Sequence, residues 1–124
     1  MPDYEIKMYD PRWTIQAKVA AALTVYCGQL ISLDSNGEWI LADQDGAVPA
    51  DAVAFKDAVA GQMLTGCLMA RLHGDFSGLT VGTTIELSDT AGAFQTSTGV
   101  HQQVGLCLSA TQVLIHIMPT YSVS

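Results

Sequence analysis

The sequence predicts a mainly-β fold: a small β-barrel or sandwich built from two related hairpin units, with an extended N-terminal arm and at most one or two short helices. Three observations lead there. The stretch Gly28–Asp43, GQLISLDSNGEWILAD, alternates Ile31 and Leu33 with Ser32 and Asp34, the period of a half-buried strand. A looser copy returns as Gly82–Thr96, GTTIELSDTAGAFQT, at an offset of about 50 residues, a length typical of supersecondary repeats. Clusters of Gly, Pro, Asp and Asn punctuate the chain between its apolar runs.

Residues 1–14, MPDYEIKMYDPRWT, hold two prolines, the aromatics Tyr4, Tyr9 and Trp13, and no helical period. Pro2 and Pro11 bias the residues before them to extended geometry. The segment is too aromatic for a plain linker and reads as an arm that orders on a partner. Ile15–Val25 reads as strand, with a short Ala-rich helix as the other reading. In the first hairpin, Asn36-Gly37 suits a two-residue type I′ turn, which would pair Ser35 with Glu38 and Leu33 with Ile40. Asp43–Asp51 is a turn cluster. Val53–Phe55 then reads as a short strand, Lys56–Gly61 as a turn and Gln62–Leu72 as a longer strand. Pro49 and Asp51 before an Ala-rich run also resemble a helix start, with Gly61 and Gly66 in the helix interior counting against it.

His73–Gly82 reads as a loop, followed by the second hairpin, a polar loop at Ser97–Gln103 and two final strands. Gln112–Met118 puts Val113, Ile115 and Ile117 on one face and Leu114 and His116 on the other, and Pro119 ends it. Gly28, Ile31 and Leu33 align with Gly82, Ile85 and Leu87. After a one-residue insertion, Gly37 and Trp39 align with Gly92 and Phe94. VAFKDAVAGQMLTGCLM from Val53 then rhymes with VGLCLSATQVLIHIM from Val104. The organisation expected is an arm over 1–14, a single β-rich body over 15–119 and a tail over 120–124.

At 124 residues the chain has the length of one domain. Hydrophobic content of 49% against 14% charged residues implies that some apolar surface is hidden against other subunits or a partner. No run reaches the roughly 18 apolar residues of a membrane span, and the start lacks the layout of a secretory signal. Cys27, Cys67 and Cys107 are odd in number and without a CxxC pair, which fits free thiols in a reducing compartment. The net charge of −7 argues against nucleic acid, whose binders need a basic stripe. Residues 1–18 balance Asp3, Glu5 and Asp10 against Lys7, Arg12 and Lys18, so the body carries the whole negative charge.

Chemistry is sparse. The cysteines and His73, His101 and His116 show no metal-ligand spacing, so neither metal nor cofactor is expected. Cys107 with His101, or Cys67 with His73, poses the question of a thiolate nucleophile, but no Gly-flanked elbow supports it. Asp43 and Asp45 flank a turn, where Asp is at home. GDFSGLTVG lacks the GK[ST] ending of a phosphate loop. Lys56, in AFKDA, occupies the place of a carrier-domain lysine without the flanking motif, and reads as a turn lysine. No catalytic set is expected, and the chain reads as a non-enzyme.

The segment Gly78–Met118, with GLTVGTTIELSDTAGAFQTS and VGLCLSATQVLIHI, resembles the carboxy-terminal half of tailed-phage capsid decoration (cement) proteins. Gly28–Phe55, GQLISLDSNGEWILADQDGAVPADAVAF, is similar to the matching region of the lambda-type head decoration protein; the aromatic N-terminus departs from that type. The resemblance implies a homotrimeric β-rich knob on the outer capsid surface of a virion assembled in the host cytoplasm. Its partner would be the phage major capsid protein, with neither nucleic acid nor membrane involved. It also implies an N-terminal arm that orders on capsid protein, for which Tyr4, Ile6, Lys7, Met8, Tyr9, Arg12, Trp13 and Ile15 are the candidate contacts. Two rivals remain at this point. A host-surface or glycan-binding β-domain of a virion fibre would expose aromatics on body loops, with Phe76 and Phe94 as candidates; a cysteine enzyme would lose activity on Cys→Ser change.

Overall fold

The structure, a computed structural model, describes residues 4–117. Alternating apolar residues and frequent turn signals give thirteen short strands and, among the described residues, no helix. In chain order they are β1 Glu5–Tyr9, β2 Thr14–Lys18, β3 Thr24–Val25, β4 Leu30–Leu33, β5 Trp39–Leu41, β6 Ala52–Ala54 and β7 Ala58–Val59. They continue with β8 Met63–Cys67, β9 Met69–His73, β10 Thr84–Leu87, β11 Phe94–Thr96, β12 Gln103–Ser109 and β13 Gln112–His116. The six-stranded sheet runs β1-β9-β13-β12-β10-β11, the five-stranded sheet runs β2-β8-β6-β4-β5, and β3 pairs with β7. Every pairing between these strands is antiparallel. The five-stranded sheet curls until Val19, just past β2, makes a single bridge to Trp39 on β5. The expected mainly-β architecture is therefore what the chain adopts, as two packed sheets.

The repeat is real in three dimensions. Gly28 and Gly82 precede equivalent strands with φ of +88° and +82°, and Gly37 and Gly92 close the two hairpins at +74° and +77°. Leu33 faces Trp39 in the first hairpin as Leu87 faces Phe94 in the second. The β4, β5, β6 and β8 strands of one unit correspond to β10, β11, β12 and β13 of the other, and each set builds most of one sheet. The units are sewn together at Gly92, whose carbonyl accepts from Leu30 N–H at 2.9 Å and whose N–H donates to Ala42 at 2.7 Å. Gln102 adds a second stitch: its side-chain amide exchanges hydrogen bonds of 2.7 and 2.9 Å with the backbone of Ala50.

Three expectations need correction. The first hairpin does not turn on a two-residue loop: Asn36 stays at negative φ, and Ser35, Asn36 and Gly37 form a three-residue loop closed by Asp34 and Glu38. The cause is the Asp34 carboxylate, which accepts the N–H groups of Asn36 at 2.8 Å and Glu38 at 3.0 Å. That favours a type I turn ending in a left-handed Gly37, and it shifts the register so that Leu33 meets Trp39 instead of Ile40. The single strand expected over Gln62–Leu72 is two strands. The chain crosses at Leu68 from the five-stranded sheet to the six-stranded one, and its N–H is taken by Trp13 O at 2.9 Å. The stretch that also read as a helix start is strand and turn throughout, and β7 lies inside the expected turn over Lys56–Gly61. Strand β13 matches the reading of its two faces; Met118, Pro119 and the tail over 120–124 lie outside the described residues.

Burial shows how the layers stack. Leu30, Val53 and Cys67 from one sheet and Leu72, Ile85, Val113 and Ile115 from the other fill the space between the sheets. Alternate residues of the five-stranded sheet, Ile31, Ala52, Ala54 and Leu64, point the other way and close around Trp39, which is fully buried. Its indole N–H donates to Leu64 O at 2.9 Å, so the one polar atom of the ring is satisfied. Gly66 makes room for that ring: a Cβ there would lie 2.6 Å from Trp39 and 2.7 Å from Ala52 Cβ. We expect Gly66→Ala to destabilise the fold by about 1–3 kcal/mol, as overpacked cores do. Gly78→Ala, where nothing lies within 4 Å, should shift the thermal midpoint little. A melt of the two variants beside the wild type checks both.

Candidate functional site

The eight candidate contact residues separate by the side of the strand on which they fall. Residues 4–9, expected in an arm that orders on a partner, already have a partner in β9, which offers a free edge to β1. Tyr4 and Ile6 turn inward, and the Tyr4 ring lies 4.8 Å from Phe76 and 6.0 Å from Phe94, over the bare backbone of Gly28. Burial, and then the charge of Asp75, push the Tyr4 hydroxyl above its ordinary pKa. Ile15 packs against the Trp39 cluster. Lys7, Met8, Tyr9, Arg12 and Trp13 remain outside.

Those five form a ridge at one edge of the molecule. Met8 is 60% and Trp13 52% exposed, while Tyr9 leans its ring edge on Phe55 at 5.0 Å. The turn from β1 to β2 is held by Asp10, which accepts from the Arg12 backbone at 3.0 Å and from its guanidinium at 3.1 and 2.9 Å. Lys7 sits at a bulge between Ile6 and Met8 and pairs with Glu5 at 2.6 Å. A charged, bulged edge resists indiscriminate strand pairing while leaving its outer N–H and C=O groups free.

Beside this ridge lies the outward face of the six-stranded sheet, which among the described residues is open over β1, β9 and β13 and covered by the loop over 95–101 at Glu86 on β10. Its central row is Met8, Arg71, Leu114 and Leu106, set side by side by strand register. Met69 and Leu108 flank the row, and the hollow along β1 and β9 encloses about 480 Å³. Two buried side-chain nitrogens without a partner among the described residues, Arg71 Nε and His73 Nε2, both belong to residues on this side of β9. Sequence reasoning missed this face. Its signal is the alternate set of β9, β12 and β13, apolar where a solvated sheet face would be polar.

One titratable cluster lies on the same face at β10, since Glu86 falls on the side of Thr84 and Leu106. Glu86 is fully buried on β10, at the position that Ser32 holds in the first unit, and the loop over 95–101 wraps its carboxylate. Five donors reach it: Gln95 Nε2 at 2.8 Å, Ser97 Oγ at 3.3 Å, Thr98 N at 2.8 Å, Thr98 Oγ1 at 2.9 Å and Gly99 N at 3.2 Å. His101 Nδ1 approaches at 3.3 Å while also facing Leu87 O at 2.8 Å. Burial alone would raise the pKa of this acid, but the side-chain and backbone donors of Gln95 and Thr98, with His101, outweigh it and hold it at about 2. Every contact is to its own loop, so the group ties down structure.

The thiols do not assemble a nucleophile. Cys67 lies in the core with its pKa pushed up to about 11 by burial. Cys107 Sγ donates to Ser109 O at 3.4 Å while His101 faces Glu86 and Leu87, so this pair does not engage. Cys27, half-buried, donates to Phe55 O at 3.4 Å, and burial raises its pKa as well. Among the described residues, no three His, Cys, Asp or Glu side chains gather as metal ligands would. No family model matches the chain, and no curated protein matches it.

Because folding lowers the pKa of Glu86 from 4.5 to about 2, its contribution is complete above about pH 4.5 and is lost as the pH falls towards 2. Glu86→Gln sets an NH₂ group against amide donors. It should lower the thermal midpoint at pH 7 on the order of 10 °C and flatten the acid limb of the stability profile. Cys67 should resist a water-soluble thiol reagent until the chain is unfolded with urea, and Cys67→Ala should cost about 1 kcal/mol.

Proposed function

We propose that the chain is a non-catalytic structural protein of a bacteriophage virion. It acts as a trimeric decoration protein that binds the outer surface of the major capsid protein lattice and stabilises the expanded head. The observation that carries this reading is the exposed ridge from Lys7 to Trp13 on the free edge of β1, at the neutral end of an otherwise acidic chain. Aromatic, Met and Arg side chains are the ones that dominate protein interfaces. A free strand edge supplies backbone hydrogen bonds to an extended segment of the capsid protein. Three ridges on one trimer would act together by effective concentration, so that no single contact need be strong. The negative body keeps decorated particles from clumping.

The sequence resemblance to phage decoration proteins supports the same reading. The two rings that the fibre alternative named, Phe76 and Phe94, turn into the aromatic cluster under Tyr4, while Tyr26, 37% exposed, is the described body-loop ring that faces outward. Deleting residues 1–14 would be a poor probe, since it strips Tyr4 and Ile6 from the core and bares the edge of β9. Trp13→Ala and Lys7→Glu alter outward-facing groups alone. Their combination should leave the melt unchanged and weaken binding to undecorated expanded phage heads at least about 30-fold, equivalent to roughly 2 kcal/mol. Imaging heads mixed with each protein reads this out. Decoration by the double variant at wild-type concentrations would overturn the ridge assignment.

A further inference from the structure

We infer that Asn36, at the tip of the β4–β5 hairpin, is a site of spontaneous covalent modification, where the Gly37 backbone nitrogen attacks the side chain and the amide becomes a carboxylate. The inference is independent of the capsid reading. Asn36 is the only asparagine in the chain, and a glycine follows it. Asparagine is a thermolabile residue, and glycine, without a Cβ, leaves its own nitrogen the least crowded. Both residues are exposed, and a Cβ built at Gly37 would meet nothing within 4 Å. Among the described residues Asn36 is tied by its backbone N–H alone, and its carboxamide stands free in water.

The reaction needs only water and base. The Gly37 nitrogen gives its proton to hydroxide and bonds to Asn36 Cγ, and the side-chain nitrogen leaves as ammonia. The product is a five-membered succinimide. Water then adds to one of the two ring carbonyl carbons, and the C–N bond there breaks. Opening at Cγ restores the backbone as aspartate. Opening at the main-chain carbonyl leaves isoaspartate, with the chain routed through Cβ and Cγ. Either way one amide and one water give a carboxylate and an ammonium ion, so the net charge of −7 gains one more negative charge.

The fold sets the rate, and Asp34 is the brake. Its carbonyl accepts Gly37 N–H at 3.0 Å, and its carboxylate accepts the N–H groups of Asn36 at 2.8 Å and Glu38 at 3.0 Å. A type I turn holds its second central residue at ψ of about 0°, which rotates the next nitrogen away from that residue's side chain. The reaction therefore waits for the loop to open locally. The matching position in the second hairpin is Ala91, before Gly92, which has no carboxamide, so the first unit alone carries the site. Isoaspartate adds a main-chain atom inside the closure where Asp34 N–H donates to Glu38 O at 2.9 Å, and the new acid stands beside two others.

The test is peptide mapping by mass spectrometry of the full chain, kept for weeks in mildly alkaline buffer, folded and in urea. The folded wild type should gain the amide-to-acid mass at Asn36, in aspartate and isoaspartate forms, at least about tenfold more slowly than in urea. Asn36→Ser should lose that gain. Asp34→Ala should raise the folded rate at least about fivefold and leave the rate in urea unchanged. No gain at Asn36 in the folded chain while the chain in urea reacts would overturn the site. Equal rates for the wild type folded and in urea would overturn the brake even if Asp34→Ala does not fold, as would a folded Asp34→Ala that reacts no faster.

Discussion

A sheet whose two faces are both apolar has to be covered twice, and among the described residues one sheet is covered twice and the other once and only in part again. The five-stranded sheet lies between the inter-sheet core and the cluster around Trp39, so its alternate residues Leu30 and Ile31 are both fully buried. The six-stranded sheet has the same core on its inner side, and among the described residues its outer side is covered at Glu86 by the loop over 95–101 but open where Met69, Leu106, Leu108 and Leu114 lie. The hydrophobic effect scales with the apolar area left in water, so the open part of this layer favours association. The proposed contact-making role draws more on this imbalance than on any single side chain.

The internal repeat explains how so short a chain builds two sheets, and its departures from symmetry show where the units took separate tasks. In the first unit the acid lies on the loop: Asp51 accepts from Ser32 Oγ at 3.1 Å and from Leu33 N–H at 2.8 Å. In the second the acid has moved onto the strand as Glu86, and Gln102, at the position of Asp51, reaches across to Ala50 in the other unit. The exchange leaves each strand pair pinned by one carboxylate and frees one amide to join the halves. The energetic logic is the same in both: an acid withdrawn wholly or partly from water is tolerated because backbone and hydroxyl donors replace that water.

Much of the fold was legible because its signals are local. Gly28, Gly37, Gly82 and Gly92 mark positive-φ positions wherever they recur, and the period-two runs beside them name the strands. What escaped were choices made by distant partners or by one side chain. Asp34 selects the longer hairpin loop through its carboxylate, which a reading of Asn36-Gly37 as a dipeptide does not weigh. The break at Leu68 is silent in the pattern, because strands of both sheets want the same alternation and the chain changes sheets without changing period. The opening segment was recognised as aromatic and extended, but its pairing with β9 depends on an edge more than fifty residues away. The alternation of β13 separates Leu114 and His116 from Val113 and Ile115; which of the two faces turns outward is a fact of tertiary packing alone.

The account stands or falls on whether the open face and its ridge are covered when the protein works. Pulsed methionine oxidation reads this directly, because Met8 and Met69 lie on that surface while Met63, 52% exposed, lies away from it as a control on β8. Comparing dilute protein with protein assembled on expanded heads, the account predicts that Met8 and Met69 become on the order of tenfold slower to oxidise while Met63 keeps its rate. Equal rates for all three in both states would contradict it.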